Sequence, residues 1–136
     1  MFQPIGLGHA RYDFSGLATS STSSPSAIGA YIDTSGIKSG ALVVALFDAT
    51  IASGAEIDIG VYVAWKLPNG QLMVDLDTPV ATFVQSTTLS SSSLKRVNFG
   101  TLLPCPGLVV YVVGSRGANT GAITAEMSIG LELLPA

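Results

Sequence analysis

The chain has 136 residues, of which only 11% are charged, and a formal net charge of −3. An ordinary soluble domain carries roughly 25% charged residues, so the deficit points to a membrane protein, an aggregate, or a surface mostly covered by partners. The six Lys and Arg are scattered, with only Lys95 and Arg96 adjacent, which argues against nucleic acid as the main partner.

The length suits one domain with a core of its own. Cys105 is the only cysteine, so no disulfide forms within the chain and no Cys/His zinc set exists. The longest apolar runs, Ala41 to Phe47 and Leu108 to Val113, fall far short of the roughly 18 residues of a membrane helix. Met1 to Tyr12 lacks the basic start and apolar core of a signal peptide, which also disfavours a transmembrane barrel.

Residues 1–26 are expected to be an arm, and residues 27–136 a β-domain. Residues 1–16 mix Gly and Pro with Phe2, Ile5, Leu7, Tyr12 and Phe14, and sustain no period of 2 or 3.6. They read as an irregular arm that packs on something. Residues 18–26 are a Ser/Thr stretch, either a linker or the start of an exposed strand.

From Ala27 onward the pattern is β, with strands expected near 28–33, 41–48, 80–85 and 95–102 besides three clearer ones. Ile57 to Leu67 alternates without a fault: Ile57, Ile59, Val61, Val63, Trp65 and Leu67 share one face. Asn69-Gly70 then signals a two-residue type I′ hairpin. That turn pairs Leu67 with Leu72, Trp65 with Val74 and Val63 with Leu76, which puts Trp65 on the core face. The last strand turns Ile123, Ala125, Met127, Ile129, Leu131 and Leu133 inward, after a glycine-rich hairpin loop over 114–121. About eight strands with turn signals between them give an all-β antiparallel sandwich or jelly roll.

Two strands, Ala41 to Phe47 and Leu108 to Val113, are apolar on both faces. Either an edge loop or the N-terminal arm covers the second face, or another subunit does.

Site chemistry is weak throughout. His9, Asp13 and Ser15 lie close in sequence, but a short arm offers neither the rigid placement nor the oxyanion hole that a nucleophilic triad needs. Asp75 and Asp77 share a strand face without the further oxygens that calcium requires, so they read as a solvated face. The glycines at 114, 117 and 121 precede a strand rather than a helix, so they are no phosphate loop. Cys105, between two prolines, reads as a small turn residue with no neighbour to activate its thiol. Arg116 reads as a solvated loop charge, the alternative being contact with an acidic partner. No catalytic, cofactor or metal site is expected.

The order of elements does carry a resemblance. A Ser/Thr stretch leads to a strand ending Tyr31-Ile-Asp33, then to Gly40-Ala-Leu-Val-Val-Ala-Leu-Phe47. Ala52-Ser-Gly-Ala55 turns into the long alternating strand. Leu108 to Val113 is followed by Arg116-Gly-Ala-Asn-Thr-Gly-Ala-Ile-Thr-Ala125 and the final strand. Over roughly residues 18–134 this resembles the small capsid cement (decoration) proteins of tailed bacteriophages, departing from their pattern at Pro104-Cys-Pro-Gly107. The resemblance implies a non-enzymatic virion protein, made in the bacterial cytoplasm. It would sit as a homotrimer on the outside of an icosahedral head and bridge major capsid subunits, without nucleic acid, membrane or cofactor. Phe2, Ile5, Leu7, Arg11, Tyr12, Phe14 and Arg116 are the expected capsid or subunit contacts, and deleting residues 2–16 is expected to leave the sandwich folded. The alternative is a jelly-roll receptor- or glycan-binding module of a phage fibre or tail. A jelly-roll metalloenzyme would need several His in one subunit, and the chain has one.

Overall fold

The computed structural model describes residues 3–101 and 107–135. Among them are nine strands and no helix: β1 (Gln3–Asp13), β2 (Ser26–Asp33), β3 (Ile37–Ile51), β4 (Glu56–Lys66), β5 (Leu72–Val74), β6 (Ala81–Gln85), β7 (Ser93–Thr101), β8 (Gly107–Ser115) and β9 (Ile123–Pro135). Every expected strand is present, and β1 is added to them.

The strands form two antiparallel sheets. One runs β1-β9-β3-β7; the other runs β2-β8-β4, with β5 and β6 both on the far edge of β4. β6 pairs with Ile57–Val61 of β4 and β5 with Ala64–Lys66, so two short strands fill one strand's place. Four positions then face four. First strand lies beside last, and third between ninth and seventh, which is the double-sheet connectivity of a jelly roll.

The core is the seam between the sheets. The inward residues of β9, from Ile123 to Leu133, are all at most 2% exposed. They meet Leu42, Val44 and Leu46 of β3 and Leu108, Val110 and Val112 of β8 in one apolar cluster. Alternation alone assigned the face of β9, because a strand buried on one side has no other register that keeps its apolar set dry; β3 and β8, apolar on both faces, carried no such signal.

Three expectations are corrected. The N-terminal arm is not irregular: β1 pairs with β9 from Gln3 opposite Leu133 to Asp13 opposite Thr124. Its register shifts between Gly6 and Gly8. A bulge at Leu7 changes the phase, so inward positions are odd before it and even after it, and no single period shows in the sequence.

The Asn69-Gly70 hairpin is one residue out of the expected register. Trp65 faces Met73 and Ala64 faces Val74. The Gly70 N–H donates to the Leu67 carbonyl at 2.9 Å, and Gly70 has φ +87°. This is a turn with Pro68 in its first central position, followed by a left-handed glycine. A two-residue loop would have required an N–H from Pro68, which has none.

The loop over 114–121 is not a hairpin. β8 belongs to one sheet and β9 to the other, so the loop arches across the sandwich. Of its glycines only Gly121 has positive φ (130°).

Candidate functional site

The two strands that are apolar on both faces have different fates. On β8 the second face is covered by the chain itself. Val109 is 1% exposed although it points away from the core. It stands opposite Tyr62, whose ring lies 5.9 Å from that of Tyr111. Tyr62 folds over Gly60 and Tyr31 over Gly107; a Cβ at either glycine would strike the ring. The tyrosines thus act as a lid over the sheet.

At the edge of that lid sits Asp58, between Val113 of β8 and Val84 of β6. Its Oδ1 is buried with no hydrogen-bond partner. Burial, and then the nearby charge of Glu56, push its carboxyl up to about 6. Burial and the Asp58 charge raise the Tyr62 phenol in turn.

On β3 the second face is covered only in part: Ala41, opposite the outward Glu132, is fully buried, and the His9 ring lies edge-on to Phe47 at 5.1 Å. Val43 and Ala45 lie half-buried there, and Phe47 is 45% exposed. Leu94 of β7, opposite Ala45, is 71% exposed. Gly6 and Gly130 pair across β1 and β9. A Cβ at Gly130 would come within 2.7 Å of the Ile5 carbonyl oxygen, so a bare backbone is required. The missing side chains leave a recess of about 230 Å³, lined also by Pro4, Val43, Ala45 and Ser128. Around it Arg11 is paired with Asp48 at 2.8 Å and Arg96 with Glu132 at 2.9 Å, and His9 Nε2 lies 3.0 Å from Glu126.

A third surface lies on the β4–β5 hairpin. Trp65 is 47% exposed, Met73 59% and Leu76 51%. Trp65, Leu67, Met73, Val74 and Asp75 enclose an open recess of about 440 Å³. The expectation of a core-facing Trp65 is therefore wrong. Alternation assigned its face correctly, but the recess around it is lined by the hairpin alone.

The expected contact residues are mostly not on these surfaces. Ile5, Leu7, Tyr12 and Phe14 turn inward and pack against the core. Arg11 points outward but holds Asp48. Arg116 is 5% exposed rather than a solvated loop charge. Its guanidinium donates to the carbonyls of Asn119, Ser15 and Gly121 at 2.9, 2.8 and 2.7 Å, pinning the arch to the end of β1. Phe2 and Cys105 lie outside the described residues.

His9, Asp13 and Ser15 are not brought together. His9 bonds Ser128 at 2.6 Å and Glu126 at 3.0 Å. Asp13 caps the backbone N–H of Ser15, and hydrogen bonds from Ser15 hold its carboxyl below the usual range. The Ser15 hydroxyl accepts from the Ile123 N–H. Asp75 follows β5 and caps a turn by accepting from the Asp77 N–H at 3.1 Å, so the two do not share a strand face. Among the described residues no three His, Cys, Asp or Glu gather as metal ligands, and no helix is long and apolar enough to cross a membrane. No family model, curated protein or solved structure matches the chain.

The exposed residues that sequence reading missed include Phe47, Leu94 and Trp65, with Leu72 and Leu76 on the same hairpin as Trp65. Phe47 and Trp65 sit in strands that read as apolar, and exposure does not follow from apolarity. A lone leucine in the polar segment Ser93-Leu-Lys-Arg96 was the one available signal for Leu94.

Proposed function

We propose that the chain is a structural virion protein, a capsid decoration protein that binds the outside of an icosahedral phage head and bridges major capsid subunits. One observation carries this reading. The chain presents two separate apolar surfaces, the outer face around Val43, Ala45 and Leu94 and the hairpin around Trp65 and Met73. A bridge needs at least two sticky surfaces, and large exposed apolar patches mark protein contacts. Jelly rolls recur in viral capsids and also in lectins, so the fold is compatible with the reading without choosing it.

The physics of such a bridge is mass action. A protein that binds the expanded shell and not its precursor stabilises the expanded shell by its binding free energy. Many copies multiply modest contacts. The test is co-sedimentation with expanded heads and with unexpanded precursor heads of the phage carrying the gene, both stripped of this protein. Saturable binding to expanded heads, weakened at least about tenfold by Trp65→Ala with Met73→Ala, is expected. Absence of binding to either form overturns the reading.

The exposed Trp65 also favours the second reading, a glycan- or receptor-binding module. An exposed indole beside Asp75 offers a sugar-stacking platform with a polar neighbour. Specific glycan-array signals abolished by Trp65→Ala, without head binding, would establish it instead.

A further inference from the structure

We propose that Ser128 is an activated nucleophile, with His9 as its base, and that it takes the acyl group of small activated esters. In sequence His9 is close to Asp13 and Ser15, but the fold gives it other partners. Pairing of β1 with β9 sets His9 directly opposite Ser128 and Arg11 opposite Glu126. His9 Nδ1 then lies 2.6 Å from Ser128 Oγ, and His9 Nε2 lies 3.0 Å from Glu126 Oε2.

The carboxylate decides the direction of both bonds. An ionised Glu126 can only accept, so Nε2 carries the hydrogen, and in the neutral ring Nδ1 is left as an acceptor. The Ser128 hydroxyl therefore donates to Nδ1. Hydroxyl to imidazole and imidazole to carboxylate is the order that a serine nucleophile needs. The ring is also held by Phe47, which meets it edge-on at 5.1 Å, and Arg11 lies 3.6 Å from the second oxygen of Glu126. Ser128 lines the recess of about 230 Å³, beside Ile5, Val43, Ala45 and the bare backbone of Gly6 and Gly130. An apolar hollow next to the hydroxyl suits a short aliphatic acyl chain.

In the reaction, Ser128 Oγ attacks the ester carbonyl carbon while its proton passes to His9 Nδ1. The bond from that carbon to the aryl oxygen breaks, and the aryloxide leaves with the electron pair. The imidazolium returns the proton to solvent, and the product is an acyl-serine. β9 is paired on both sides, by β1 and β3, so its N–H groups lie in the sheet and none is aimed at an oxyanion above Ser128. Only esters with a good leaving group react, and the acyl group stays on the serine. The reaction belongs to the free chain and stands whether or not the chain binds heads.

The test is p-nitrophenyl butyrate with the full chain at about pH 8. A burst of aryloxide approaching about one equivalent per chain is expected, with little turnover after it. Mass mapping of the wild type should place one butyryl group on Ser128. Ser128→Ala should abolish burst and label, and His9→Gln should slow both at least about tenfold. Circular dichroism and melting check that the two variants fold; the position of the label in the wild type does not depend on either of them. A label confined to lysines, no burst above that of Ser128→Ala, or a Ser128 label that forms as fast in folded His9→Gln would each overturn the proposal.

Discussion

Asp58 carries a carboxyl whose charged form the fold disfavours. It sits between two valines, with one oxygen buried and unpartnered and Glu56 nearby. Its ordinary value is 3.8 and its folded value about 6. A raised carboxyl binds its proton more tightly in the folded state, so the penalty is absent below pH 4 and complete above pH 6. Asp58→Asn should therefore stabilise the chain at pH 8, by the order of 1 kcal/mol once the water still reaching the group is discounted. The gain should vanish at pH 3.5. Denaturant midpoints at the two pH values check this, and an equal effect at both would refute it. Arg116 is the opposite case, a buried cation held by three carbonyls. Removing it leaves those acceptors without their donor. Arg116→Ala should cost on the order of 3 kcal/mol, and Arg116→Lys should recover only part, because an ammonium lacks the guanidinium fork. Chemical denaturation of both variants measures it; a loss under about 0.5 kcal/mol would show that the tie is idle. Neither role was legible from residue type. Both depend on what the fold brings against the side chain, a valine pair in one case and the carbonyl of Ser15, far off in sequence, in the other.

At the scale of elements, β1 matters most. It is the edge strand of its sheet, and Ile5, Leu7, Tyr12 and Phe14 close that end of the core, with the Phe14 ring packed over Gly114. Burying such side chains contributes roughly 1.5–3 kcal/mol each when complete, against a total stability of about 5–15 kcal/mol. Deleting residues 2–16 should thus unfold or aggregate the chain, contrary to the expectation that an arm could be removed. A soluble truncation with an unchanged melting temperature would sink this account. The truncation would also leave β9 as a bare edge, open to pairing with other chains. The opposite edge is protected differently. Lys95 of β7 lies opposite Val44, a core-facing residue, and an inward-pointing lysine discourages further strand addition. Most elements were legible because alternation repeats over many residues, as in β4 and β9. β1 was not, because one bulge breaks the count. The hairpin register was missed by a single residue, because Pro68 outvoted the Asn-Gly signal that follows it.

At the scale of the molecule, the charge deficit has two separate explanations. On one sheet the apolar outer face is roofed by Tyr31, Tyr62 and Tyr111, which need no charge to be satisfied. On the other, the apolar outer face is only partly covered, and its two guanidinium groups, Arg11 and Arg96, are held by carboxylates of the same face. The charges that remain are thinly spread, which is why so few suffice. The sequence by itself determined the all-β class, the inward sets of β9 and of most of β4, and the excess of apolar surface. These follow from a period of two and from composition, both local properties of the chain. Only the tertiary structure decided that the arm is a strand, that the last loop arches between sheets rather than turning back, and that Arg116 is buried. It also decided which apolar surface stays open. These depend on which strands become neighbours, and that is chosen by the packing of distant segments rather than by any one of them.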